Sequence, residues 1–302
     1  MMNRKNPPVV LTIAGSDCSG GAGIQADLKT MSAFDVYGMS VITAVTAQNT
    51  CGVTGVQNVT GEMIRQQLEA VMSDIMPDAV KIGMLATAEA VEAVADILEK
   101  YRPEHVILDP VMVSTSGRSL LEAEGKEQML RRLFPLAELV TPNIPEAEEI
   151  LKAVDGSDKA DGRTSEKKQV ISKMTSPVRI TDQTLMEKAA QVIRQRYGCN
   201  VLLKGGHMTQ AADDLLYQTQ AVWFPAERIE CNNTHGTGCT LSSAIASALA
   251  RGYSLKEAVG IAKVYVRSAM STGLDLGHGN GPLDHNWSIS SAVLSQSDQS
   301  SR

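Results

Sequence analysis

Short apolar runs alternate with longer segments of helical period along most of this chain, and that rhythm constrains its fold more than any other feature. Residues 9–14 form an apolar, β-branched run that predicts a buried strand, and residues 24–34 follow at helical spacing. Residues 40–46 predict a second strand, after which Ile64, Leu68, Val71, Met72 and Ile75 recur along one helical face. Residues 79–82, 105–108, 138–140 and 201–203 read as further strands, with helices around 91–98, 123–134 and 183–197. Repeated β-α order predicts an α/β fold with a mostly parallel central sheet covered by helices on both faces. Ligands of such sheets bind beyond the carboxyl ends of the strands. The polar residues there are Gly15-Ser16-Asp17, Gln48-Asn49, Gly83-Met84, Asp109-Pro110, Thr141-Pro142-Asn143 and Lys204-Gly205-Gly206.

The stretch from Asn233 through Gly236-Thr237-Gly238-Cys239 to Ala244 is a Gly-rich loop running into a helix. Amides at a helix start lack helical partners and, with the helix dipole, attract phosphates. Gly236 and Gly238 let the backbone turn tightly and approach an anion with no Cβ in the way. A tight turn before a core helix explains the glycines equally well. The anion reading gains from Asp109, Asn143, Glu146 and Lys204, all near strand ends or helix starts. Phosphoryl transfer needs carboxylates near a metal, a cation on the phosphates and a group that orients the nucleophile. Asn143 and Glu146 also have a plain structural reading, as an N-cap and its capping-box partner around Pro145.

Other chemistries fare worse. Gly21-Ala22-Gly23-Ile24-Gln25-Ala26 matches G-x-G-x-x-A, but it lies well past the first strand, and the second strand ends in Gln48 rather than an acid for ribose. The plainer role of residues 19–23 is a flexible turn before a helix. No G-x-x-x-x-G-K-[ST] occurs. A net charge of −6 argues against nucleic acid or an anionic membrane as partner. No apolar run reaches the roughly 18 residues of a membrane span, and residues 1–8 do not open a signal peptide, so the cytoplasm is the expected compartment. The cysteines at 18, 51, 199, 231 and 239 form no C-x-x-C pair and fit reduced thiols. The expected layout is a flexible segment 1–8, one domain over 9–287 with a mobile insertion at 155–176, and a fraying tail 288–302.

Taken together, these blocks resemble a known family. Leu11 to Asp17, Ser19 to Lys29, Ala47-Gln48-Asn49-Thr50, Lys81 to Leu85, Thr141-Pro142-Asn143, Lys204 to His207 and Thr234 to Leu241 are similar to the hydroxymethylpyrimidine/phosphomethylpyrimidine kinases of thiamin biosynthesis. These enzymes belong to the ribokinase-like superfamily, and the likeness runs from about Val9 to His285. It implies a Rossmann-like, three-layer α/β/α fold and ATP-dependent phosphorylation of 4-amino-5-hydroxymethyl-2-methylpyrimidine and then of its monophosphate. It further implies that Gly15, Asp27, Gln48, Met84 and Val111 line the pyrimidine pocket. Asp109 and Glu146 would lie near magnesium, Lys204, Asn143 and Thr141 would serve ATP, and residues 236–239 would form the anion hole. A homodimer is implied as well.

These roles are chemically sensible. The Gln48 amide offers both a donor and an acceptor to an aminopyrimidine edge, while Met84 and Val111 can clamp a ring. At position 239 many sugar kinases of the superfamily carry an aspartate, whereas this family and this chain carry cysteine. A helix start lowers a thiol pKa, and nearby phosphates oppose that. Two departures stand out: the 155–176 insertion is longer than in compact members, and Cys18 replaces a proline found in many relatives. The nearest alternative is a pyridoxine or pyridoxal kinase of the same superfamily, disfavoured by the Gln-Asn-Thr run. A catalytically silent ligand sensor is disfavoured by the intact Asp109, Lys204 and 236–239 loop.

Overall fold

The computed structural model describes residues 6–112, 120–160, 179–206, 212–229 and 231–287, with residues 155–160 described by backbone course alone. The chain runs β1 (Val9–Asp17), α1 (Gly23–Ala33), β2 (Tyr37–Asn49), β3 (Gly52–Asn58), α2 (Gly61–Met72), β4 (Ala79–Ile82), α3 (Ala88–Tyr101) and β5 (His105–Leu108). It continues through α4 (Ala123–Gln128), β6 (Leu139–Val140), α5 (Ile144–Ala160), α6 (Gln183–Tyr197), β7 (Asn200–Leu203), β8 (Asp214–Tyr217), β9 (Ala221–Phe224), α7 (Thr237–Ala250) and α8 (Leu255–Met270).

The strands form one nine-stranded sheet in the order β3-β2-β1-β4-β5-β6-β7-β8-β9. The six from β2 to β7 run parallel. β3 closes one edge antiparallel and β8–β9 close the other. The pleat sends alternate residues to opposite faces. Leu11, Ile13, Val80, Ile82, Val106 and Leu108 pack against α2–α6, whereas Val10, Ala79, Ile107, Leu139 and Leu202 pack against α7 and α8. The result is the three-layer α/β/α arrangement that the β-α rhythm predicts.

Beyond β1 the chain turns to β2 on one side, and β4 joins β1 on the other. This reversal opens a crevice at the carboxyl ends of β1 and β4. It is where the site gathers.

Several boundaries differ from the sequence reading. β2 is 13 residues long, so Gln48 and Asn49 lie inside the strand, paired with Val53 and Gly52 after an irregularity at Ala47. The expected helix over 123–134 is three pieces: α4 gives way to a π-turn at Met129–Leu133 and then a 3-10 turn at Phe134–Leu136. Pro135 has no N–H for a longer helix. The first residues of the supposed insertion, 155–160, continue α5. The remainder of that segment, the tail 288–302 and residues 1–5 lie outside the described residues. No described helix is long and apolar enough to cross a membrane.

Candidate active site

A cleft open to solvent occupies the crevice, with about 800 Å³ of empty space counted together with its open mouth. Of the residues singled out in the sequence, Gly15, Gln48, Met84, Asp109, Val111, Glu146, Lys204, Gly236, Gly238 and Cys239 line it. Asp27, Thr141, Asn143 and Thr237 lie outside that lining.

Asp27 is fully buried beneath the cleft, where its carboxylate accepts from Lys81 Nζ (2.9 and 2.8 Å), Thr12 Oγ1 (2.6 Å) and Ser243 Oγ (2.6 Å). Thr141 is buried and donates to Asp109 Oδ1 (2.9 Å), so it steadies that carboxylate rather than facing nucleotide. Asn143 and Glu146 form the reciprocal capping box: Glu146 N donates to Asn143 Oδ1 (2.9 Å) and Asn143 N to Glu146 Oε2 (2.7 Å). Thr237 Oγ1 donates to the Thr234 carbonyl (3.1 Å) and locks the loop from within.

The start of α7 has features that suit an anion. Gly236 caps it in the left-handed region (φ 80°) with no side-chain cap, and a Cβ there would collide with the Gly21 carbonyl. The amides of Gly238 and Cys239, in the first turn, have no helical partner. A Cβ on Gly238 would sit 3.4 Å from Asp109 Oδ2 and 3.5 Å from Lys204 Nζ, so the bare glycine keeps open the space between the loop and that ion pair. α1 also starts here, at Gly23 (φ 58°) and without a side-chain cap. Its Gly23 amide faces the Cys239 sulfur.

The charges opposite are tightly balanced. Lys204 donates to Asp109 Oδ1 (2.9 Å) and lies 3.8 Å from Glu146 Oε2. Burial opposes charge on all three. Lys204 and Lys81 overcome it for Asp109, whose carboxyl lies below its usual value, and the two carboxylates hold the Lys204 ammonium above its own. For Glu146 burial wins, with repulsion from Asp109 adding to it, and its carboxyl is pushed up to about 7. Burial likewise pushes the Cys239 thiol above its ordinary value, only partly offset by Lys81. The direction is opposite to the lowering that a helix start alone predicts.

Lys81 and His235 escaped the sequence reading as functional residues, and Asp17 appeared there only as a strand-end polar group. Lys81 stands in an apolar strand where its parity matches Ala79, so it points under α1 and α7; a lysine inside such a run was the available signal. Asp17 accepts from Ser19 N (2.9 Å), Ser19 Oγ (2.8 Å), Gly21 N (3.2 Å), Ala22 N (2.8 Å) and His235 Nε2 (2.8 Å). Burial alone would raise its pKa, but the His235 and Ser19 hydrogen bonds hold it at about 2. Residues 19–23 are therefore a tethered loop, not the flexible turn expected, and the tether joins them to the residue preceding Gly236.

No group of three or more His, Cys, Asp or Glu among the described residues forms a ready-made metal site. Magnesium at nucleotide sites takes one or two protein carboxylates and completes its shell with phosphates and water. Asp109 and Glu146 are a donor set of that kind.

Sequence and structure comparisons place the chain among known proteins. The Phosphomethylpyrimidine kinase family profile matches residues 17–176 and 165–284. The hydroxymethylpyrimidine/phosphomethylpyrimidine kinase of Rhizobium meliloti (strain 1021) is 45% identical over 281 residues, covering 92% of this chain and 96% of that protein. The chain spans about half, 54%, of a longer relative, the thiamine biosynthesis bifunctional protein of Geobacter sulfurreducens. Among solved structures, the phosphomethylpyrimidine kinase of Clostridium difficile 630 is 43% identical with a TM-score of 0.71, covering 87% of this chain and all of that one. The pyridoxal kinase of Staphylococcus aureus, in complex with AMP-PCP and pyridoxal, is 33% identical with a TM-score of 0.79, covering 94% and 95%. The chain belongs to the phosphomethylpyrimidine kinase family, with the ribokinase-like fold.

Proposed function

We propose that this cleft transfers a phosphoryl group from ATP to the hydroxymethyl oxygen of 4-amino-5-hydroxymethyl-2-methylpyrimidine, and a second one to the resulting monophosphate. The observation that carries this reading is the bare Gly238 facing the Lys204–Asp109 pair. Helix-start amides and an ammonium thus bound one anion-sized opening, beside a wall containing Gln48, Met84 and Val111.

The residue roles follow from their chemistry. Lys204, held charged by its carboxylate neighbours, neutralises the ATP phosphates. The amides of Gly238 and Cys239 hold the transferring group, where fixed donors act without reorganising. Gln48 reads the amino-substituted edge, and Met84 and Val111 hold the ring. Asp109 and Glu146 would hold magnesium, which when bound screens the charge of the phosphates. Cys239, protonated near neutral pH because burial raises its pKa, positions the hydroxyl rather than deprotonating it. A loose transition state makes little demand on a base. A single catalytic domain over 9–287, a homodimer and a cytoplasmic location accompany this reading, with oligomeric state checked by light scattering.

The likeness to pyridoxal kinase supports pyridoxal as a secondary substrate of similar shape. The deciding experiment is ATP turnover with the aminopyrimidine, its monophosphate, pyridoxine, pyridoxal and ribose. The aminopyrimidine and its monophosphate are expected to lead. A clear preference for pyridoxal overturns the assignment, and no turnover with any points to a sensor.

A further inference from the structure

The Gln48 side chain lies between two fixed partners. Its Nε2 stands 3.2 Å from His235 Nε2, and its Oε1 stands 3.2 Å from Thr46 Oγ1. Both ends of that orientation conflict with their surroundings. The Asp17 carboxylate 2.8 Å from His235 Nε2 can only accept while ionised, so this ring nitrogen carries a hydrogen. Two N–H donors would then oppose each other. At the other end, the one hydrogen of Thr46 Oγ1 lies nearer the Ser16 carbonyl (2.9 Å) than Gln48 Oε1 (3.2 Å). A half-turn of the amide relieves both sides: Oε1 shares the His235 Nε2–H with Asp17 in a three-centre bond, and the NH₂ group donates to the Thr46 hydroxyl oxygen.

We propose that His235, oriented by Asp17, is a positioning residue that fixes the Gln48 amide and thereby selects an aminopyrimidine over pyridoxal. The inference rests on the kinase reading above. His235 directly precedes Gly236, so Oε1 lies on the side of the phosphoryl site and the NH₂ group on the far side. A substrate whose hydroxymethyl group points at the 236–239 loop presents its adjacent 4-amino group, a donor, on the near side. The ring nitrogen beyond it is an acceptor. The order matches Gln48 end for end. In pyridoxal, the ring positions flanking the hydroxymethyl-bearing carbon carry an aldehyde or a hydrogen, and neither donates to Oε1. Asp17, Thr46, Gln48 and His235 all border the cleft.

The test combines turnover with calorimetric dissociation constants for the aminopyrimidine and pyridoxal. His235→Phe keeps a ring but removes the donor. It is expected to lower the aminopyrimidine-to-pyridoxal preference about tenfold, mainly through KM and Kd of the aminopyrimidine. His235→Gln, which still offers an N–H, restores most of the preference. In a Gln48→Met background, His235→Phe changes the preference no further. An equal loss for both ligands, or a change that persists without Gln48, overturns the proposal. NMR of ¹⁵N-histidine-labelled wild-type protein reads the tautomer independently of any variant's folding. Absence of a hydrogen on Nε2 also overturns it. If the wild-type protein has that hydrogen and binds pyridoxal more tightly than the aminopyrimidine, the aminopyrimidine assignment fails while the Asp17–His235 contact stands.

Discussion

At the scale of single residues, the cleft separates groups that carry charge from groups that keep space. Lys204 belongs to the first kind, and Lys204→Ala is expected to lower kcat at least a hundredfold, as removal of a charge-stabilising donor does. Cys239→Ser is expected to keep measurable turnover, because a hydroxyl replaces a thiol that is itself protonated. Abolished activity in a folded Cys239→Ser protein would assign that thiol a larger role. The glycines belong to the second kind. Gly238→Ala meets only ordinary contacts, so its thermal midpoint should stay near wild type while its added methyl fills the anion space and activity falls. Gly236→Ala, with a left-handed backbone and the Gly21 carbonyl in its way, should lose stability as well. Steady-state kinetics beside thermal unfolding distinguishes the two. The sequence spoke clearly about residues whose type is unusual at a helix start. It foresaw the Asn143–Glu146 capping box but was silent on the hydrogen bonds that occupy Asp27, Thr141 and Thr237.

At the scale of elements, the segment after α8 fastens the helical layer over the cleft. His285 is buried, its Nε2 lies 3.0 Å from Thr240 Oγ1 in α7, and its carbonyl accepts from Tyr265 in α8 at 2.7 Å. Burial, with the charge of Lys29 adding to it, lowers its pKa to about 4 from an ordinary 6.5. The folded state therefore keeps this imidazole neutral between those values while the unfolded chain takes up a proton. Its contribution to stability is complete above 6.5 and declines as the pH falls toward 4, by about 2 kcal/mol at pH 5. Urea unfolding at pH 7.5 and 5 should show this decline in the wild-type protein and a flatter response in His285→Gln. The same slope in both would remove His285 as its cause. The central strands β1, β4, β5 and β7 were legible because both their faces are buried and their sequences are largely apolar. β3 was not, since its two glycines and half-exposed side chains leave no pattern to count. β8 and β9, a hairpin with β9 at the sheet edge, were missed as short strands outside the β-α rhythm.

At the scale of the whole molecule, the sheet is joined to the helical layer of α1, α7 and α8 through the Lys81–Asp27 pair, whose members come from the sheet and from α1, with Ser243 of α7 alongside. Lys81→Met leaves the Asp27 carboxylate buried without its counter-charge and is expected to cost about 3–5 kcal/mol. The double variant Lys81→Met/Asp27→Leu should recover much of that loss in denaturant titrations. A single variant as stable as wild type would show that the pair contributes nothing net. Such a pair was beyond reach of the sequence because its partners are 54 positions apart and no local pattern links them. The contacts that close the cleft span even more chain: Asp17 meets His235 across 218 positions and Asp27 meets Ser243 across 216. Separations of that size make folding slow. They also set an order of events during synthesis. A ribosome that has delivered the first 230 residues has supplied every strand of the sheet but neither His235 nor the α7 start. Competence therefore arrives in one late step, and an interrupted chain is a silent one rather than a half-active enzyme.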